Sequence, residues 1–98
     1  MSLRQEQSDF MKALGLFITF AYHQGYELTG GDLWAVRGHI EGSKHYDRLA
    51  IDLNLFYDGE YLTTTEAHQP LGEFWESIGG SWGGRFSNPD GCHYSWGE

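Results

Sequence analysis

Four residues of the 98-residue chain have the type and spacing to hold and use a divalent cation: His45 and Asp52, seven positions apart, and Asp90 and His93, three apart. Asp52 lies inside LAIDLNLF, the most strand-like apolar run of the sequence. Burying an ionised carboxylate costs on the order of several kcal/mol unless something positive meets it. An arginine, a lysine or a metal ion would serve. A zinc ion takes one carboxylate oxygen and two imidazole nitrogens and keeps a fourth position for water. Asp52, His45 and His93 supply that set. With a site charge of about +1, water at the open position would ionise near neutral pH, at a pKa of about 7. Asp90, in PDGCH, would take the proton and hand it to a leaving amine. Spacing alone leaves a second reading open, a hydrogen-bonded core aspartate with unrelated histidines.

These residues need elements to position them. Phe10, Ala13, Leu14, Phe17, Ile18, Ala21 and Tyr22 recur at spacings of three and four, which predicts a helix from about Arg4 to Gln24 with its apolar face on those residues. Gly25 would cap it. A short strand, YELT, should follow, then a polar loop over residues 31–44. In RLAIDLNLFYDGEYLT, Leu49, Ile51, Leu53 and Leu55 alternate with Ala50, Asp52, Asn54 and Phe56, the period of a strand. Asp58-Gly59 marks a tight hairpin and a return strand from Glu60 to Leu62. A second helix is expected from near Pro70 to Gly79-Gly80, and a last strand with His93 and Tyr94 after a loop. The pattern is α+β, a small antiparallel sheet with flanking helices, with residues 1–98 as one domain.

Of the other histidines, His23 and His68 read as surface residues and His39 as part of the loop. The net charge of −8, with only six basic residues, argues against nucleic acid and against anionic membranes. A single cysteine, Cys92, excludes an internal disulfide and a cysteine-rich zinc site. No segment is long enough to insert in a membrane. ALGLFITFAY is short, lacks a cleavage pattern, and reads as a core helix rather than a secretion signal.

SKHYDRLAID resembles the Ser-x-His-x-x-Gly-x-Ala-x-Asp signature of the zinc D-alanyl-D-alanine carboxypeptidase and L-alanyl-D-glutamate peptidase family, with Ser43, His45, Ala50 and Asp52 at the signature positions. WGGRFSNPDGCHYS is similar to that family's second motif, which places Asp90 and His93 at its acidic residue and last zinc histidine. The stretch between resembles phage and prophage members, including endolysins. The resemblance implies a peptidase that cuts the stem peptides of bacterial peptidoglycan, with one Zn2+ on His45, Asp52 and His93 and with Asp90 as base. It also implies the zinc fold shared by D-Ala-D-Ala peptidases and the Hedgehog signalling domain. A phage-type L-alanyl-D-glutamate endopeptidase is preferred, with a D-Ala-D-Ala carboxypeptidase as the alternative. Such an enzyme would be made in the cytoplasm and act at the cell wall after release, or ride in a virion.

The sequence departs from the pattern at Arg48, where the signature has Gly. That position can require a permissive backbone, and Arg48 could pair with Asp47 or with Asp52. Arg37 is the nearest candidate for an arginine that grips a substrate carboxylate, which a guanidinium fork suits; a solvated loop residue is the other reading. Ser43 could orient substrate through its hydroxyl or cap a turn. Cys92 is expected to pack in the core, and Trp82 and Trp96 either line the cleft or pack. Two further readings stand beside the peptidase: a metal-stabilised binding or structural domain without catalysis, which the acidic charge favours slightly, and a degenerate copy with little support behind His93.

Overall fold

The computed structural model describes residues 2–33 and 43–97. Helix α1 spans Leu3–His23, capped by the Ser2 hydroxyl, which accepts the Gln5 N–H at 3.1 Å. Its buried face is Phe10, Ala13, Leu14, Phe17 and Ala21. Ile18 and Tyr22, expected on that face, are exposed. They sit at the edge of the stripe, each one residue, about 100°, past a buried position. Tyr22 works locally instead: its hydroxyl accepts the Leu28 N–H at 3.2 Å and so ties α1 to the first strand.

The sheet is antiparallel and has five strands, β1 (Tyr26–Gly30), β2 (Ala50–Tyr57), β3 (Glu60–Leu62), β4 (Ser81–Trp82) and β5 (His93–Ser95). Strand β2 is the hub, paired with β1, β3 and β5, and β4 pairs with β5. The Asp58-Gly59 turn has φ of +53° and +81°, both positive as a tight hairpin of this kind demands. Leu49, Ile51, Leu53 and Leu55 join the core against both helices. Asp52 therefore faces away from that core, and its side chain keeps 26% of its exposure. Its Oδ1 is nonetheless buried, turned toward His45 and His93.

Helix α2 spans Thr65–Ser77 and begins five residues before the expected start at Pro70. Thr64 caps it, its hydroxyl accepting the Ala67 N–H at 3.1 Å. Pro70 is inside the helix and exposed. An interior proline costs about 3 kcal/mol in a free helix; here Leu71 and Trp75, both fully buried, hold the segment on the core. Strand β4 has only two residues between glycines, too short to show a period, and was not legible as a strand. A 3-10 turn, Gly83–Arg85, follows it. Among the described residues no helix is long and apolar enough to cross a membrane.

Candidate metal centre

His45 is carried by a turn of Lys44 to Arg48, stopped just before β2. The Arg48 N–H donates to the His45 carbonyl at 3.2 Å and the Leu49 N–H to the Lys44 carbonyl at 2.8 Å. Arg48 itself has φ of +59°. This pair of bonds around a left-handed residue is the glycine-favouring stop signal of helical turns, which explains why the signature position held here by Arg48 takes Gly. Ser43 starts the turn: its hydroxyl accepts the His45 N–H at 3.2 Å. The Gln7 side chain donates to the Asp47 carbonyl and Lys44 Nζ to the Gly97 carbonyl, at 2.9 and 3.0 Å, which pins the turn from both sides. Because a left-handed conformation costs a residue with a Cβ about 1–2 kcal/mol, partly offset by the freedom glycine has when unfolded, Arg48→Gly should stabilise the protein by up to about 1 kcal/mol. A urea midpoint that rises at constant slope checks this, with Arg48→Ala, which keeps the strain, showing no gain.

Asp52 and His93 face each other directly across the β2–β5 pairing. His45, only 1% exposed, comes over the same side. Asp52 Oδ1 lies 3.3 Å from His45 Nε2 and 3.5 Å from His93 Nδ1, and the two imidazole rings meet edge to face at 5.1 Å. One ligand atom from each of the three residues lies within 4.8 Å of the others. Two separations are compatible with a shared cation. They are longer than a direct charge-assisted hydrogen bond, about 2.7–2.9 Å. They match the spacing of two donors that each reach a tetrahedral zinc ion at about 2.0–2.1 Å, which is roughly 3.3–3.4 Å. The donor set, two imidazoles and one carboxylate, is the set a zinc ion takes with one position left open. The backbone of β1 runs on past Gly30 to hold Asp52: the Gly31 N–H donates to its carbonyl at 2.7 Å and its own N–H donates to the Asp32 carbonyl at 2.9 Å.

Asp90 stands on the solvent side. Its carboxylate groups with Asp52 and Cys92, one ligand atom of each within 4.8 Å of the others. Its N–H donates to the Gly83 carbonyl at 2.9 Å, and its own carbonyl accepts the His93 N–H at 3.1 Å. The base candidate and the ligand candidate are thus parts of one turn. Cys92 is half-buried rather than core, and its thiol donates to Asp90 Oδ1 at 3.3 Å. Burial first, then the hydrogen bond to Asp90 and the charges of Asp90 and Asp52, push the thiol up to about 12. It stays protonated at neutral pH and is no nucleophile.

The remaining candidates divide. Arg37 and His39 lie outside the described residues. Trp82 is buried, its Nε1 donating to the Gly91 carbonyl at 2.8 Å, and packs on the core while one edge borders a surface pocket with Thr65, Gln69 and Pro89. Trp96 leans on Trp75 at the core's edge. His68, expected at the surface, is buried on α2 at 3% exposure, with Nδ1 2.8 Å from the Tyr94 hydroxyl. The earlier start of α2 turns it inward. Desolvation holds its pKa below the ordinary histidine value, against the opposing pull of Asp90. Phe86 carried no signal in the sequence; its half-exposed ring sits 5.3 Å from that of His93.

A family model described as D-alanyl-D-alanine carboxypeptidase matches residues 37–96. That stretch holds both the His45–Asp52 turn-and-strand and the Asp90–His93 turn, and it is more than half of the 98 residues. Comparison with curated proteins gives no match. Members of the matched family depend on zinc, and the three donors that a zinc ion needs converge here in space from three separate segments. The chain belongs to the D-alanyl-D-alanine carboxypeptidase family of zinc peptidases.

Proposed function

We propose that the protein is a zinc peptidase of bacterial peptidoglycan stem peptides, of the L-alanyl-D-glutamate endopeptidase type found in phage and prophage, acting as one domain at the cell wall. The fold assigned to it is that of D-Ala-D-Ala peptidases and the Hedgehog signalling domain. The observation that carries the reading is the convergence of His45, Asp52 and His93 with an accessible carboxylate, Asp90, beside Asp52. His45 Nε2, Asp52 Oδ1 and His93 Nδ1 would hold the ion. When bound, zinc supplies Lewis-acid polarisation of the scissile carbonyl and makes water acidic enough to act near neutral pH.

The chain's own residues do the rest. Asp90, open to solvent, accepts a proton from the attacking water on a carboxylate oxygen and returns it to the nitrogen of the leaving amine. The Cys92 thiol, held protonated, donates to Asp90 Oδ1 and fixes that carboxylate's direction. Phe86 gives an apolar wall against His93 for a small side chain of the substrate. Arg37 is assigned to the substrate carboxylate, and Ser43 to the placement of His45 and of substrate near it. A non-catalytic domain would need the three ligands but no base, and the accessible Asp90 weighs against it.

The test is hydrolysis of purified peptidoglycan with and without a zinc chelator. The expected result is chelator-sensitive release of new amino termini that carry D-glutamate. Free D-alanine as the product would move the assignment to a carboxypeptidase. No product from zinc-loaded protein would overturn the enzymatic reading.

A further inference from the structure

We propose that α2 is the positioning helix of this centre, and that the buried His68–Tyr94 hydrogen bond is what holds His93 and Asp90 in place. The proposal rests on the peptidase reading above. Strand β5 has only three residues, and its neighbour β4 has two. Ladders this short hold an end weakly, so the segment that carries Asp90 and His93 needs other anchors. Two come from one face of α2, three residues apart. Thr65 Oγ1 accepts the Gly91 N–H at 3.2 Å, and His68 Nδ1 meets the Tyr94 hydroxyl at 2.8 Å.

The first anchor is also a backbone contact. A Cβ on Gly91 would fall 2.6 Å from Thr65 Cα, so the two backbone segments touch with no side chain between them. The second anchor is deep. Tyr94 is fully buried, and its ring packs at 4.7 Å from Phe17. In a strand the side chains alternate, so Tyr94 reaches the helices while His93 turns to Asp52 on the other face. Between the two anchors lie only Cys92 and His93, and Asp90 comes just before the first. Metal and catalytic geometry tolerates displacements of about 0.5 Å. A loosened anchor should therefore show in ion affinity and turnover before it shows in substrate binding.

The experiment compares Tyr94→Phe, His68→Asn and Leu14→Ala in the full zinc-loaded chain, and reads zinc affinity by chelator competition, melting temperature, kcat and KM. Loss of a partner behind a metal ligand costs about tenfold or more in metal affinity, so Tyr94→Phe should raise the zinc Kd about tenfold and lower kcat similarly, with KM within about twofold. His68→Asn, which keeps a polar group near the Nδ1 position, should recover both to within about threefold of the wild type. Leu14→Ala should melt at least as low as Tyr94→Phe yet leave Kd and kcat unchanged well below its melting temperature. Unchanged zinc affinity and kcat in Tyr94→Phe overturn the proposal, and so does an equal loss in Leu14→Ala. Should Tyr94→Phe not fold, Thr65→Val removes the other anchor and is read in the same way. A wild type that binds zinc but releases no product would overturn the peptidase reading alone; the zinc affinities would still decide the role of His68 and Tyr94.

Discussion

Asp90→Asn is expected to lower stem-peptide hydrolysis by about 10²–10⁴-fold, the usual worth of a positioned general base, while zinc stays bound. The two halves of this expectation come from different features. Asparagine has the shape of aspartate and can still accept the Cys92 S–H, so the turn from Asp90 to His93 should persist. What it loses is the ability to take a proton. The ligand triad does not include Asp90: the carboxylate groups with Asp52 and Cys92, not with the two imidazoles. Removing one negative charge beside Asp52 should weaken zinc by no more than about threefold, because the Asp90 side faces solvent, where charges are screened. Measuring zinc affinity and amine release on the same preparation separates the roles. If the variant loses its zinc, Asp90 is a ligand, and the base must be sought elsewhere.

The parts of this centre differ in how far the sequence alone reveals them. His45 and Asp52 are close along the chain, so the turn and strand that join them show as local pattern. The same is true of the Asp58-Gly59 hairpin, whose two positive φ values are a local demand. The opposition of Asp52 and His93 is not local. It depends on the register of β2 with β5 across a separation of some forty residues; residue types suggest the set but leave it open, and the resemblance to a known motif is what favours it. Period two is legible in β2 and places Asp52 on the face opposite the leucines, where its side chain keeps 26% exposure while Oδ1 is buried. Pro70 misled as a start signal, because proline is favoured in a helix's first turn and the packing of Leu71 and Trp75 overrides its cost further in. That shift of five residues is why His68 read as a surface residue. Cys92 was assigned to the core by strand alternation, but it precedes the three-residue strand and takes its direction from Asp90 instead.

The same turn makes Gly83→Ala the most damaging single methyl group in the site. A Cβ there would lie 2.2 Å from the Asp90 carbonyl oxygen and 2.8 Å from His93 Cβ. The first obstacle is backbone and cannot swing aside. The Gly83 carbonyl also accepts the N–H groups of Phe86 and Asp90, at 3.1 and 2.9 Å, so any retreat of the turn breaks those bonds too. Overpacking of this kind costs about 1–3 kcal/mol and at times more. At roughly 4–8 °C per kcal/mol for a domain of this size, melting should fall by about 4–24 °C. Zinc affinity and hydrolysis should fall with it even well below the melting point, because Asp90 and His93 are the groups displaced. Gly15→Ala is the counterpart on α1. No atom lies within 4 Å of its Cβ and the site is exposed, so alanine should add about 0.5–1 kcal/mol through helix propensity alone, with zinc affinity unchanged. A Gly83→Ala protein that melts and binds zinc like the wild type would mean that the Asp90–His93 turn does not sit against Gly83, and the placement of the base beside the ligands would fall with it.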